Sequence, residues 1–144
     1  MAAAPIAIAS DHAGFDLKQA LIEHLKAVGI PVLDLGTNSR DSVDYPDFGD
    51  ALAKAILGGK ASRGVLVCGT GLGISMAANR HKGIRAAHCR DTTDARLTRL
   101  HNDANVLALG ARTTGIEVAK DCLDVFLNTA FEGGRHQRRI DKLG

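Results

Sequence analysis

The chain has no tryptophan, one tyrosine and four phenylalanines in 144 residues. A core without aromatic bulk must be filled by Ala, Val, Leu and Ile, which favours layers of aliphatic strands and helices. Scarce aromatics also argue against a surface that stacks on bases, and a formal net charge of +2 makes no case for nucleic acid. Cysteine is sparse too: Cys68, Cys89 and Cys122 are odd in number and far apart. They form neither a disulfide framework nor a CxxC zinc pattern, so a reducing compartment, the cytoplasm, is expected. No apolar run is long enough for a membrane span, and the stretch from Met1 to Pro5 lacks the basic region of a signal peptide. With no repeat, low-complexity segment or linker, the length suits one domain over residues 1–144.

The chain has instead a regular alternation of two hydrophobic periods. Short aliphatic runs at 5–10, 31–35, 65–68, 84–88 and 106–109 read as strands. Between them, 15–28, 48–57, 74–79, 92–100 and 115–127 carry helical spacing, with Asp91 or Thr92 as the cap of the fourth helix. Residues 36–46 read as a loop, and a short basic amphipathic helix is expected from about 134, after Gly133-Gly134. Five strands alternating with helices predict an α/β fold, a five-stranded parallel sheet covered by helices on both faces.

Ligands of such sheets bind beyond the carboxyl ends of the strands. Strand one ends in Ser10-Asp11-His12, strand three in Cys68-Gly69-Thr70, and strand five leads into Gly110-Ala111-Arg112. After strand three, Gly69, Gly71 and Gly73 alternate. Such glycines let backbone N–H groups converge on an anion at a helix N-terminus. A dinucleotide fingerprint would place its third glycine at Ile74, and no Lys-Ser/Thr follows as in a phosphate-binding P-loop. A tight turn without ligand and an oxyanion cradle remain as readings, and the cradle is preferred because Cys68 adjoins it. A cysteine at a strand end is often a small buried hydrophobe. A cysteine at a helix N-terminus, however, sits where thiolate is favoured. Thr70 offers a hydroxyl nearby. Cys122 reads as core, on the apolar side of its helix with Val118, Ala119 and Val125, and Cys89 is assigned no role.

His12 follows Asp11 at a strand end, and His101 ends a helix, where it would also complement the helix dipole. His24, His81 and His88 read as surface or packing residues. No HxxxH or similar spacing points to a metal, so none is expected. Arg135 and Arg139 are four apart and share a helix face, an arrangement that suits a phosphate dianion as well as a solvated basic surface.

Several segments in one order carry a family resemblance: Ser10-Asp-His-Ala-Gly-Phe-Asp-Leu-Lys18, Asp44-Tyr-Pro46, Cys68-Gly-Thr-Gly-Leu-Gly-Ile-Ser75, Gly83-Ile-Arg-Ala86, His101-Asn-Asp-Ala-Asn-Val-Leu-Ala-Leu-Gly110 and Glu132-Gly-Gly-Arg-His-Gln137. The sequence resembles type B ribose-5-phosphate isomerases, in the group that also holds galactose-6-phosphate and allose-6-phosphate isomerases. The resemblance implies a Rossmann-like three-layer sandwich and cofactor-free interconversion of an aldose phosphate and a ketose phosphate, in a homodimer with shared sites which sometimes pairs into a tetramer. It implies Cys68 as the base moving a proton between C1 and C2. Gly69, Gly71, Leu72 and Gly73, with Thr70, would cradle the cis-enediolate, and Asp11 and Tyr45 would hold the sugar. His12, Arg112, Arg135 and Arg139 would bind phosphate. His101 (for ring opening), Asn102 and Arg112 would come from the partner. A second branch of the group has a glutamate base where this chain has Ile74, so the cysteine version is implied. Arg138 departs from the residue most often seen there. The substrate expected is ribose 5-phosphate. Other aldose phosphates of four or six carbons remain alternatives, as does a non-catalytic phosphosugar-binding protein.

Overall fold

The computed structural model describes residues 4–144. Five strands, β1 (Ile6–Ser10), β2 (Val32–Asp34), β3 (Arg63–Cys68), β4 (Ala86–His88) and β5 (Val106–Gly110), form one sheet in the order β2-β1-β3-β5-β4. Every pairing is parallel, with Ile8 beside Val65 and Val65 beside Leu107. Six helices accompany the sheet: α1 (Phe15–Ala27), α2 (Tyr45–Leu57), α3 (Leu72–Asn79), α4 (Thr92–Asn102), α5 (Ile116–Asn128) and α6 (Arg135–Leu143).

The two-residue period of the strands sorts two cores. Ile6, Ile8, Val65, Val67, Leu107 and Leu109 face Leu21, Leu25, Leu123 and Phe126 of α1 and α5. Ala7, Ala9, Leu66, Cys68 and Ala108 face Leu52, Ala53, Ile74 and Ala78 of α2 and α3. The second face has smaller strand side chains and admits closer helices. At Gly64 an added Cβ would lie 2.6 Å from Leu52 Cδ2. The three-layer α/β sandwich is therefore as expected.

The element boundaries differ in places. α2 begins at Tyr45 rather than 48, because Pro46 lies in its first turn, where the missing N–H leaves no bond unmade. α3 begins at Leu72, so Leu72 and Gly73 are its first turn and not part of a loop. β4 is confined to Ala86–His88, since the Arg85 N–H is taken by Asn105 Oδ1 at 2.8 Å. Asp91 is the cap of α4, accepting the Asp94 N–H at 2.9 Å. Cys122 and Ala119 are buried, but Val118 is exposed and does not share their face.

Candidate active site

All carboxyl ends of a parallel sheet fall on one edge. Here β1, β3 and β5 are its central strands, and Cys68 is the register partner of Gly110 while Ser10 is that of Val67. Asp11, Cys68 and Arg112 therefore emerge on that edge, on neighbouring strand ends. Cys68 is 5% exposed, and its Sγ accepts the Gly71 N–H at 3.2 Å.

The glycine turn is set by close approach. Gly71 is the N-cap of α3, with φ +80°. A Cβ there would lie 2.8 Å from His88 Cδ2 and 2.8 Å from the Leu109 carbonyl carbon. At Gly73 a Cβ would lie 2.6 Å from Tyr45 Cε1, so the tyrosine ring packs directly on the first turn of α3. At Gly69 it would lie 3.5 Å from Arg112 Cδ, and the Arg112 N–H donates to Gly69 O at 2.9 Å. Thr70 is exposed, and its Oγ1 accepts the Leu72 N–H at 3.2 Å. Two N–H groups of the turn are thus spent on Cys68 and Thr70. The N–H groups of Gly73 and Ile74, in the first helical turn, have no acceptor within the helix and face its N-terminal end.

Two further residues frame this edge. Asp11 is buried and accepts the Gly14 N–H at 3.1 Å, which fixes the entry to α1. His12 Nδ1 lies 3.1 Å from Val43 N and 3.2 Å from Val43 O, accepting from one or donating to the other according to its tautomer. The loop carrying Val43 is anchored at its start by the fully buried Lys18. Its Nζ donates to Asp34 Oδ1 at 2.7 Å, and the same oxygen accepts the Gly36 N–H at 2.9 Å.

His101 and Asn102 lie elsewhere. α4 starts beyond the carboxyl end of β4 and spans about 16 Å at 1.5 Å per residue, returning the chain to the start of β5. Its last turn is therefore at the amino edge of the sheet, opposite Cys68. There the His101 ring stacks on His136, with centroids 4.6 Å apart and planes 20° from parallel. Glu132 sits between them: Oε2 is 4.0 Å from His101 Nε2 and Oε1 is 3.9 Å from His136 Nε2. The Glu132 N–H is bonded to Leu100 O at 3.1 Å, which holds this irregular stretch against the end of α4. Arg135 and Arg139 line an open cleft of about 460 Å³ with His101, Asn102 and His136. Burial holds His136 below the usual histidine range, and the charges of Arg135 and His101 act in the same direction.

The proposed residues thus fall into two groups on opposite edges. Asp11, His12, Tyr45, Cys68 to Gly73 and Arg112 form one; His101, Asn102, Arg135 and Arg139 form the other. The resemblance implied a different grouping, with Arg112 beside His101 and Asn102. Arg112 belongs beside the glycine turn of its own chain, because β5 ends next to β3. Arg135 and Arg139 belong with His101, because α6 docks on α4 through buried His136. His88, expected at the surface or in packing, is a packing residue at this edge. It packs against Gly71, and its Nε2 is buried without a hydrogen-bond partner among the described residues. Its place at the end of β4 was the available signal. Cys89 and Cys122 are core thiols, pushed up by burial to about 12 and about 11.

A protein-family model described as Ribose/Galactose Isomerase matches residues 6–143. The chain belongs to the ribose/galactose isomerase family. Among relatives in this family, ribose-5-phosphate isomerase B of Escherichia coli K12 is 47% identical over 138 residues, covering 96% of this chain and 93% of that protein. D-erythrulose-4-phosphate isomerase of Pectobacterium atrosepticum is 43% identical over 140 residues, covering 96% and 92%. A solved ribose 5-phosphate isomerase from Thermotoga maritima superposes with a TM-score of 0.96 at 53% identity, covering 97% of each chain. The ribose-5-phosphate isomerase B of Clostridium thermocellum gives 0.96 at 51%, covering 97% and 95%. The family assignment accounts for the matching segments as one continuous sequence pattern. No described helix is long and apolar enough to cross a membrane.

Proposed function

We propose that this member of the family interconverts ribose 5-phosphate and ribulose 5-phosphate through a cis-enediolate, with Cys68 as the base. The observation that carries this reading is the position of Cys68 Sγ, at a central strand end and held by the Gly71 N–H beside the start of α3. With the sugar open as its aldehyde, the thiolate takes the C2 proton. The C–H electron pair forms the C1–C2 double bond, and negative charge collects on O1. The hydroxyl proton of O2 then passes to O1, next to Thr70. Finally Cys68 returns the carbon-bound proton to C1, leaving a carbonyl at C2. Developing oxyanion charge faces the N–H groups of Gly73 and Ile74, which need not reorient to receive it. Proton transfer by a positioned thiolate is a workable general-base step near neutral pH.

Asp11 and Tyr45 would hold sugar hydroxyls, and His12 and Arg112 would meet phosphate from the same edge. His101, Asn102, Arg135 and Arg139 lie on the far edge of the same chain. They serve this site only when a second copy supplies them, so the reading requires a homodimer with two shared sites. The relatives named as ribose-5-phosphate isomerases support ribose as the sugar, and three unpaired cysteines suit the cytoplasm. The erythrulose-phosphate relative is the observation behind a second reading, a shorter sugar in the same chemistry. A panel of four- to six-carbon aldose phosphates tests both. Fastest turnover on ribose 5-phosphate is expected. A preference for a four-carbon substrate would select the second reading, and no turnover on any would overturn both.

A further inference from the structure

We propose that His101, Glu132 and His136 form a binding site for a divalent transition metal of the zinc class, and that occupancy silences His101. One ligand atom from each of the three lies within 4.8 Å of the other two. Two imidazole nitrogens and a carboxylate are a zinc donor set, and in tetrahedral coordination such atoms sit about 3.3 Å apart. Ring-nitrogen lone pairs lie in the ring plane, so the partly exposed His101 must turn out of its near-parallel stack on His136 to meet the same ion, and half-exposed Glu132 must close on both.

A second observation points independently to a ligand. His136 is 8% exposed, and its Nε2 has no hydrogen-bond partner among the described residues. A buried ring nitrogen left unsatisfied beside a carboxylate and a second imidazole is placed to donate to an ion. The burial of His136 and the Glu132 N–H bond to Leu100 O hold two of the three groups in place before any ion arrives, and the partly exposed His101 ring turns to complete the set. The adjoining cleft admits a water as fourth ligand. Hard ions such as magnesium favour oxygen donors and would bind poorly here. Once Nε2 of His101 is coordinated, its lone pair is unavailable for proton transfer during ring opening. This silencing rests on the isomerase reading above; the binding does not.

The test uses the full chain, stripped with a chelator and dialysed against zinc, with cobalt as the spectroscopic probe. One metal per chain is expected. Affinity should fall about tenfold or more in Glu132→Gln and in His136→Asn and persist in Cys68→Ser. The cobalt complex should show tetrahedral bands without a sulfur-to-metal charge-transfer band. If His136→Asn loosens α6, Glu132→Gln carries the comparison alone. No bound zinc, equal binding by the variants, or a sulfur band marking Cys68 as the ligand would each overturn the site. Zinc should also lower turnover of the metal-free wild type, reversibly on chelation, and Glu132→Gln should lose that sensitivity relative to its own zinc-free rate. Bound zinc with undiminished turnover would overturn the silencing. A metal-free wild type inactive on every aldose phosphate would instead overturn the isomerase reading, leaving dialysis to decide the site.

Discussion

The Gly71 N–H and Cys68 Sγ are 3.2 Å apart, so the same turn that opens α3 also fixes the sulfur. Cys68→Ala removes the proposed base while leaving the turn intact. Turnover should fall by roughly 10²–10⁴-fold, the usual scale of general-base catalysis, with the circular dichroism spectrum unchanged. Full activity in this variant would remove Cys68 from the mechanism.

Gly71→Ala and Gly73→Ala should differ in kind. At Gly71 the added methyl meets the Leu109 backbone, and the residue must keep φ at +80°. Strain and overpacking should together cost about 2–4 kcal/mol, read in urea melts. At Gly73 the atoms nearest the methyl belong to the ring of Tyr45, which is exposed and able to move. That variant should lose less stability, about 1 kcal/mol, and should show its effect as a raised KM.

Buried Cys89 and Cys122 hold their protons to about 12 and about 11, against an ordinary value of 9.0. Above pH 9 the unfolded chain releases thiol protons that the folded chain retains. Stability should therefore decline as pH rises from about 9 towards 12, and these thiols should add no slope below that window. Urea midpoints at pH 8 and pH 10 test this, and Cys89→Ala should flatten the decline. At pH 8, iodoacetamide should modify the Cys68 peptide before either core cysteine.

The Lys18–Asp34 pair should respond asymmetrically. Lys18 is fully buried, whereas Asp34 is 36% exposed. Asp34→Ala strands a buried ammonium and should destabilise by about 3–5 kcal/mol. Lys18→Met leaves a carboxylate that water can reach, and should cost about 1 kcal/mol or less by the same reasoning. Equal losses would overturn the asymmetry.

Chains carrying Cys68→Ala and chains carrying His101→Ala should each be inactive. Mixed and reassociated in equal amounts, they should recover about a quarter of wild-type activity. Half the two-fold dimers are then hybrids, each with one intact site. No recovery would overturn the shared site.

The central strands were legible because β1, β3 and β5 are buried on both faces and read as unbroken aliphatic runs. The start of β4 was not, since Ile84 and Arg85 look strand-like although Asn105 diverts the Arg85 backbone. Pro46 hid the first turn of α2 by reading as a loop residue. The Cys68 turn could be read because its residues are consecutive. The His101, Glu132 and His136 cluster could not. Glu132 precedes α6 in an irregular segment, and only its backbone bond to Leu100 brings it to His101.

The sheet's outermost strands, β2 and β4, have three residues each. An open edge with unpaired N–H and C=O groups invites a stray strand to add on, and the hazard grows with edge length. Here the template is half as long as β3, and on one side it ends in the charged Asp34. Growth of the sheet into fibrils is thereby discouraged. Any ordered association of these molecules has to proceed through side chains on the helices and loops.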